Sequence, residues 1–467
     1  MTMKKYNFKN FEKILILGDV FLDIFQTTEI IKISPERPVP VLEPTKIINL
    51  LGGAANVANN IQSVGGSTFL ISKFSNDRHG KIIKKMLSKN KIDSKIITDK
   101  EYSTPVKQRI VQNDHQFCRL DDEFFFKIKK KDEIKVINFV KKNITKFQSL
   151  IISDYSKGLL TKNLIQGVIK IFKKHNKKIF TDPKNKNISV YKNSSFICPN
   201  QNEFVNFLDY EKLSLKEKSI QKLFKKTQAN AFVITKGSKG VSVIFNDGKK
   251  IEVPQKDINV YDVTGAGDTF IGLLSYLLSN KIDLINSIKI SSFACGKIVQ
   301  KKHTAVLDFF EFQKIIEEFC EEKSIELSLK ISLWKLAKFK IGVTNGCFDI
   351  LHSGHIHLLG EAKKYCDKLV VLLNSDNSIR KIKGIERPIL KLKERVKILN
   401  TIKHIDDIKV FEEKTPEKII SQLLPDILFK GSDYKARELA GYNIIKNSGG
   451  KVKIIKKLKN FSSSKFI

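Results

Sequence analysis

The chain has 467 residues, 41% hydrophobic and 28% charged, too apolar for a disordered chain and long enough for two or three domains of roughly 100–200 residues each. Its net charge of +35 points first to nucleic acid or an anionic surface. Only eight of its 84 basic residues are arginines, however, and specific phosphate or base recognition favours arginine's planar fork over lysine's solvated point charge. Lysines scattered among abundant Ile, Asn and Phe read as the drift of an AT-biased genome, which draws phosphorylated substrates inward and implies no specific nucleic-acid partner. No apolar run approaches the ~18–20 residues of a membrane helix, and the basic N-terminus lacks an apolar signal core. The six cysteines, at 118, 198, 295, 320, 347 and 366, stand singly, so neither a zinc ribbon nor a disulfide framework is expected. A soluble cytoplasmic protein with reduced thiols follows, without zinc, haem, flavin or membrane insertion.

In chain order, Lys13–Val20, Ser67–Ser75, Ser149–Asp154, Lys178–Asp182 and Ala231–Thr235 read as buried strands, with amphipathic helices such as Leu160–His175 between them. That alternation predicts an α/β domain whose doubly wound, mostly parallel sheet is covered on both faces. Ile31–Asn49 interrupts it with four prolines among β-prone residues, which suits edge strands of a small β lid. Helical periodicity over Cys320–Lys340, with Trp334 as a packing anchor, predicts a linker helix over 317–340. The alternation then restarts: strand Lys340–Asn345, helix His352–Tyr365, strand Lys368–Asn374. The expected division is therefore 1–316, 317–340 and 341–467.

The strongest local signal is Asp262–Thr269 (DVTGAGDT), followed by the apolar run Phe270–Leu278. Gly265, Ala266 and Gly267 allow a tight turn that places backbone N–H groups at a helix N-terminus, a ready anion site. Asp268 inside that positive end stays ionised and can take a proton from an alcohol while the loop amides stabilise a phosphoryl group in transfer. A glycine turn with a capping Asp is the plainer alternative.

DVTGAGDT resembles the C-terminal signature of the ribokinase-type sugar kinases, and three further motifs follow that family's order. Gly52–Asn60 (GGAANVANN) resembles its double glycine opening a helix near the sugar, with Gly52, Gly53 and Asn56. Asp19, after Gly18, stands where these kinases hold sugar hydroxyls. Asn200–Glu203 (NQNE) resembles the motif that organises magnesium and nucleotide phosphates, Glu203 acting on the metal indirectly; taken alone, it is a capping box. The resemblance adds Gln201, Asn202, Thr235 and Gly237 to the nucleotide side. Ser34–Val41, Lys107–Arg109 (KQR), Arg119–Asp121 (RLD), Ser153–Gly158 (SDYSKG) and Thr181–Lys184 (TDPK) are similar to the heptose 7-phosphate kinase branch. On that resemblance Lys107, Arg109, Arg119, Asp154 and Lys157 belong to the sugar site, and Arg109, Arg119 and Lys157 are candidates for the distant phosphate. Solvated surface charge is the alternative.

Thr344–Gly354 (TNGCFDILHSG) leads into His355, and three of the chain's eight histidines fall at 352, 355 and 357. His352 and His355, three apart at a helix start, share one face, and Gly354 lets phosphates approach the backbone. Nucleotidyl transfer fits, because two imidazoles stabilise the α-phosphoryl transition state with no covalent intermediate. A zinc site would want further ligands; His357 suits packing or solvent. The H-x-G-H pattern resembles the nucleotidyltransferase superfamily, which also includes class I aminoacyl-tRNA synthetases. NSD (374–376), KGIERP (383–388), FEEKTP (411–416) and KGSDY (430–434) follow the transferases' order. The resemblance implies Thr344, Asn345, Gly346, Phe348, Asp376, Arg387, Lys430, Asp433, Ser463 and Ser464 as nucleotide-binding residues, with Arg387 and Lys430 on the triphosphate.

A ribokinase-like domain joined to an H-x-G-H domain with a Rossmann-like fold resembles the bifunctional heptose kinase and adenylyltransferase family of Gram-negative bacteria over nearly the whole chain. The resemblance implies phosphorylation of D-glycero-β-D-manno-heptose 7-phosphate at O1, then, after a separate phosphatase, adenylyl transfer to heptose 1-phosphate giving ADP-heptose for the lipopolysaccharide core. It implies ATP and Mg2+ at both sites and a homodimer. A different sugar phosphate, or one domain kept only as a regulatory module, is the alternative. Three departures from the family pattern bear on detail: His303–Thr304 in place of a glycine turn, Asn76 in place of an acid, and a short tail after Ser462–Ser464 that would loosen the transferase's closing loop.

Overall fold

Side chains of Lys13–Gly18 and Phe147–Ser153 are buried almost throughout, as expected of strands covered on both faces. In the computed structural model, which describes residues 12–456 except 100, 113–114, 124, 126, 215–216, 256–259, 302–304 and 323, these two strands pair at the middle of a nine-stranded sheet. In spatial order its strands are Lys250–Val253, Val241–Phe245, Ala231–Thr235, Phe196–Ile197, Lys178–Asp182, Phe147–Ser153, Lys13–Gly18, Thr68–Lys73 and Asp93–Ile97. All pairings are parallel except the two at the Lys250–Val253 edge. The chain leaves Lys13–Gly18 towards one side of the sheet and later returns on the other. This makes a topological switch point, where a crevice opens beyond the carboxyl ends of the strands.

The expected strand Lys13–Val20 is broken at Asp19, between Lys13–Gly18 and Val20–Ile33. Asp19 gives its N–H to the Ser153 carbonyl (3.2 Å), and its carboxylate takes three amides of the loop beyond that strand, so the ladder cannot run through it. Val20–Ile33 enters a second sheet, in order Pro40–Gly53, Val20–Ile33, Val106–Gln112, His115–Asp122. Pro40 and Pro44 lie on its edge strand, where a missing N–H costs no ladder bond.

A boundary between compact units falls at Ile315/Ile316. The second unit carries a five-stranded, all-parallel sheet in the order Asp407–Phe411, Lys368–Asn374, Ile341–Gly346, Ile427–Gly431, Lys451–Ile455. Its switch point is at Ile341–Gly346. The single linker helix expected over 317–340 is instead two: Phe309–Cys320 and Leu327–Leu336. The second is packed within its unit, with Leu327, Ile331, Leu333 and Trp334 buried. Lys330 donates to Asp407 (2.7 Å) and Lys335 to the Leu423 carbonyl (2.6 Å). Burial on this scale makes it part of a core and not a free tether. Among the described residues no helix is long and apolar enough to cross a membrane.

Candidate active sites

Gly265 adopts φ +79°, in the left-handed region that a side chain would strain, and so turns the chain into the helix Ala266–Ser279. Asp268 lies in its first turn and is 5% exposed. One oxygen accepts a hydrogen bond from Asn56 Nδ2 (2.9 Å), the other from the Tyr155 hydroxyl (2.7 Å). Burial pushes the carboxyl up to about 6, the two hydrogen bonds pull it back, and Asp23 and Lys107 act in opposite directions. The group is thus ionised at neutral pH and close enough to its titration point to hold a proton in a transition state. Gly267 opens onto free space, with nothing within 4 Å of the place a Cβ would take.

A cavity of about 230 Å³ adjoins this helix start, lined among others by Gly267, Asp182, Lys184, Asn200, Glu203 and Thr235. Asn200 and Glu203 do form the capping box, each side chain accepting the other's N–H at 2.9 Å. Cap and cavity wall are compatible, because the second oxygen of Glu203 faces Lys184 at 3.2 Å. Gln201 and Asn202 are exposed on the next turn and do not line the cavity. Gly237 lies in the turn after the strand that Thr235 ends. Asp182 was not singled out in the sequence as a site residue. Its carboxyl is pushed well above the usual range by burial and by Glu203, Asp268 and Asp154, with Lys184 opposing. Carboxylates crowded round one lysine leave room for added positive charge. That acidic wall of Asp182 and Glu203 fits magnesium as an ion shared with nucleotide phosphates, its usual mode.

The sugar-side residues are gathered, but several are already occupied. Asp19 accepts the N–H groups of Tyr155 (3.1 Å), Lys157 (3.0 Å) and Leu159 (3.2 Å). Burial raises its carboxyl to about 6 against the pull of those amides. Asp154 accepts from the Ser156 N–H (2.8 Å) and the Tyr191 hydroxyl. Gly52 and Gly53 end the strand Pro40–Gly53 against Phe21, and the helix Ala54–Ser63 that follows delivers Asn56 to Asp268. Arg109 pairs with Asp23 (2.5 Å), Arg119 with Asp121, and Lys107 and Lys157 with Glu123. Asn76, the departure noted above, accepts from Lys84, while Asp77 alone caps the following helix and holds Thr104.

In the second unit, strand Ile341–Gly346 ends in Thr344–Asn345–Gly346 and the loop returns at His352, the N-cap of helix Ser353–Lys363. The His352 and His355 rings lie 3.9 Å apart between centroids, and Phe348 lies 5.0 Å from His355. Phe348 is buried with φ +44°, a strained conformation for a bulky residue. Thr344 is fully buried, and its hydroxyl makes no hydrogen bond among the described residues. Lys430 donates to the Asn345 carbonyl (2.7 Å) and lies 4.7 Å from the Tyr434 ring. Burial lowers its ammonium to about 8, with the exposed Asp433 and Cys347 opposing. His357 meets the Lys456 carbonyl, away from the ring pair.

Two expected ligands are held by protein groups. Arg387 pairs with the buried Asp349 (2.9 Å), which also takes the N–H groups of Ile389 and Leu390. Asp376 accepts from the Leu392 N–H and from Arg395 (2.6 Å). Arg395, 1% exposed, also donates to the carbonyls of Leu390, Cys347 and Asn374 at 2.8–3.0 Å, and so ties the histidine loop to the next strand. The sequence reading missed it, although it is one of only eight arginines in the chain. Ser463, Ser464, His303 and Thr304 lie outside the described residues.

Residues 12–308 match the pfkB family of carbohydrate kinases, and residues 343–467 match the cytidylyltransferase-like family. The chain is 36% identical over 457 residues to the bifunctional protein HldE of Campylobacter jejuni strain RM1221, covering 97% of this chain and 96% of that one. The chain belongs to the HldE family. It is also 36% identical over 440 residues to HldE of Helicobacter pylori strain HPAG1, covering 94% and 95%. Thermotoga maritima ribokinase (TM-score 0.53, 17% identity, 66% of this chain and 100% of that one) shares the kinase fold. So does Arabidopsis thaliana ribokinase solved with ribose and ATP (0.51, 17%, 70% and 99%). As an HldE protein the chain is a bifunctional kinase and nucleotidyltransferase, with the heptose kinase and adenylyltransferase role in ADP-heptose synthesis.

Proposed function

We propose that the two activities are carried by independent sites, at the carboxyl ends of the two parallel sheets, in domains spanning 1–316 and 341–467 with 317–340 between them. What supports this reading is that each unit has its own group of the needed chemistry beyond a central strand: Asp268, bonded to Tyr155 in the loop after Phe147–Ser153, and the His352–His355 pair at the helix start after Ile341–Gly346.

In the kinase, O1 of heptose 7-phosphate gives its proton to Asp268 as it attacks the γ-phosphorus of ATP. The bond from that phosphorus to the β–γ bridging oxygen breaks, and ADP leaves. Tyr155 and Asn56 hold the carboxylate in place, and the amides of Gly265–Gly267 face the charge spreading over the phosphoryl oxygens. Glu203, with Asp182 beside it, would hold magnesium, which shields phosphate charge when bound with the nucleotide. Lys107, Arg109, Arg119 and Lys157 give the sugar side the positive charge its distant phosphate needs.

In the transferase, an oxygen of heptose 1-phosphate attacks the α-phosphorus of ATP and pyrophosphate leaves. The acceptor is already an anion, so no base is required. His352, His355 and Lys430 supply donors and charge to the triphosphate, with Thr344, Asn345, Gly346 and Phe348 shaping the loop beneath it, and Arg387, Asp376, Asp433, Ser463 and Ser464 completing the nucleotide site. All six cysteines are free thiols, which supports a cytoplasmic protein. The small sheet exposes Ile31, Ile33, Ile47, Phe117 and Leu120, which supports a homodimer.

The test is a pair of substitutions assayed in both half-reactions. Asp268→Asn lowers bisphosphate formation by about 10²–10⁴, the usual worth of a general base, and leaves ADP-heptose formation intact. His355→Ala does the reverse, by about 10²–10³. A folded variant that loses both activities contradicts independent sites.

A further inference from the structure

The basic groups on the sugar side of the kinase cleft meet three acids, and the acids differ in kind. Arg109 and Asp23 sit on neighbouring parallel strands, 8% and 2% exposed, so their pair is part of the sheet. Arg119 and Asp121 are two residues apart on one strand, their side chains 46% and 30% exposed, and the arginine fork closes on its own neighbour. Glu123 instead bridges two lysines from separate segments. Its Oε2 takes Lys157 from the loop after Phe147–Ser153, and its Oε1 lies 3.7 Å from Lys107 on Val106–Gln112. That distance is too long for a hydrogen bond, and among the described residues Oε1 is buried without a hydrogen-bond partner. Lys107 lies over the rings of Phe21 (4.3 Å) and Tyr155 (5.8 Å), and the Tyr155 hydroxyl holds Asp268. Lys107 is therefore one aromatic ring away from Asp268.

A single carboxylate charge facing two ammonium groups, with one oxygen unsatisfied, is an incomplete match. A phosphate monoester brings close to two charges and three acceptor oxygens. We propose that Glu123 is a displaceable internal counter-ion, which holds Lys107 and Lys157 together in the free enzyme and gives them up to the substrate's distant phosphate. This rests on the reading of both lysines as sugar-phosphate ligands. Glu123 then sets the affinity for phosphorylated sugar through competition within the protein, because a ligand's apparent affinity falls with the fraction of molecules offering an open site. It is a specificity-determining residue and does not touch the reacting atoms.

The experiment uses the full chain carrying Glu123→Gln, and reads the KM for heptose 7-phosphate, the KM for ATP, and inhibition by inorganic phosphate competing with the sugar. The sugar-phosphate KM and the phosphate inhibition constant are expected to fall on the order of tenfold, with the ATP KM unchanged. A sugar-phosphate KM that stays or rises overturns the proposal, and so does an equal fall in the ATP KM, which marks a general change of potential. Glu123→Asp keeps the charge but is a methylene too short to span both lysines. It should move the constants the same way, and it serves if the Gln variant does not fold. Lys157→Ala, measured alongside, separates the two levels of the argument. If its sugar-phosphate KM is unchanged, the phosphate subsite itself is wrong; if that KM rises while Glu123→Gln changes nothing, only the counter-ion role is wrong.

Discussion

The proposed kinase site is built around carboxylates and the proposed transferase site around cations and imidazoles, although both reactions move phosphorus from the same nucleotide. Asp268 is buried within reach of Asp23 and Asp182, whereas the second unit carries the His352–His355 pair and Lys430 and turns its acids, the buried Asp349 and the half-buried Asp376, onto arginines. The nucleophile accounts for the difference. A sugar hydroxyl must lose a proton as it attacks, so the first site keeps a base whose burial holds it close to its titration point. A sugar phosphate arrives already ionised, so the second site needs only to place charge and hydrogen-bond donors around the triphosphate.

The comparison sharpens first at Arg395, the transferase counterpart of the Asn56–Tyr155 support beneath Asp268. Arg395→Ala leaves three carbonyls and Asp376 without their common donor, and a small shift of the histidine loop is enough to lower adenylyl transfer by about 10². The kinase rate stays unchanged. Arg395→Lys does not rescue, because one ammonium cannot span those four acceptors. Rescue by lysine, measured as the adenylyl transfer kcat, would make Arg395 a mere source of charge.

The second consequence is a pH dependence of opposite sense at the two sites. Asp268, raised to about 6, is protonated and inactive as a base below that pH, so the kinase loses rate as pH falls through 6. Lys430, lowered to about 8, is charged below that pH and neutral above it, so the transferase loses rate as pH rises through 8. The ratio of kinase to transferase activity in one preparation therefore rises with pH, with steps near 6 and 8. A flat ratio would break the contrast. A smaller effect belongs to Asn200→Ala, which removes a helix cap worth about 1 kcal/mol. It should lower kinase-unit stability by that amount in denaturant titration and raise only the kinase's KM for ATP.

The sequence was most informative where chemistry sits in one short stretch. DVTGAGDT and H-x-G-H place glycines, a carboxylate or imidazoles within a single turn, so the local pattern carries both conformation and reactivity. It was least informative where a partner comes from far along the chain. Asn56 reaches Asp268 across 212 residues and Arg109 reaches Asp23 across 86, contacts made by sheet order and invisible to spacing. The same limit explains Asp19 and Asp376. Each stands at a motif position expected to face ligand, and each also holds a loop, Asp19 through three amides and Asp376 through Arg395 and the Leu392 N–H. The periodicity over Cys320–Lys340 corresponds to the helix Leu327–Leu336, but a helical pattern does not mark the break that separates it from Phe309–Cys320.

The most direct test of the two-site account is product analysis by mass spectrometry on the unmodified protein with ATP and magnesium, in one tube with heptose 7-phosphate and in a second with heptose 1-phosphate. The account predicts heptose 1,7-bisphosphate with ADP in the first tube and ADP-heptose with pyrophosphate in the second. Folded protein that forms neither product, or only one, would contradict it.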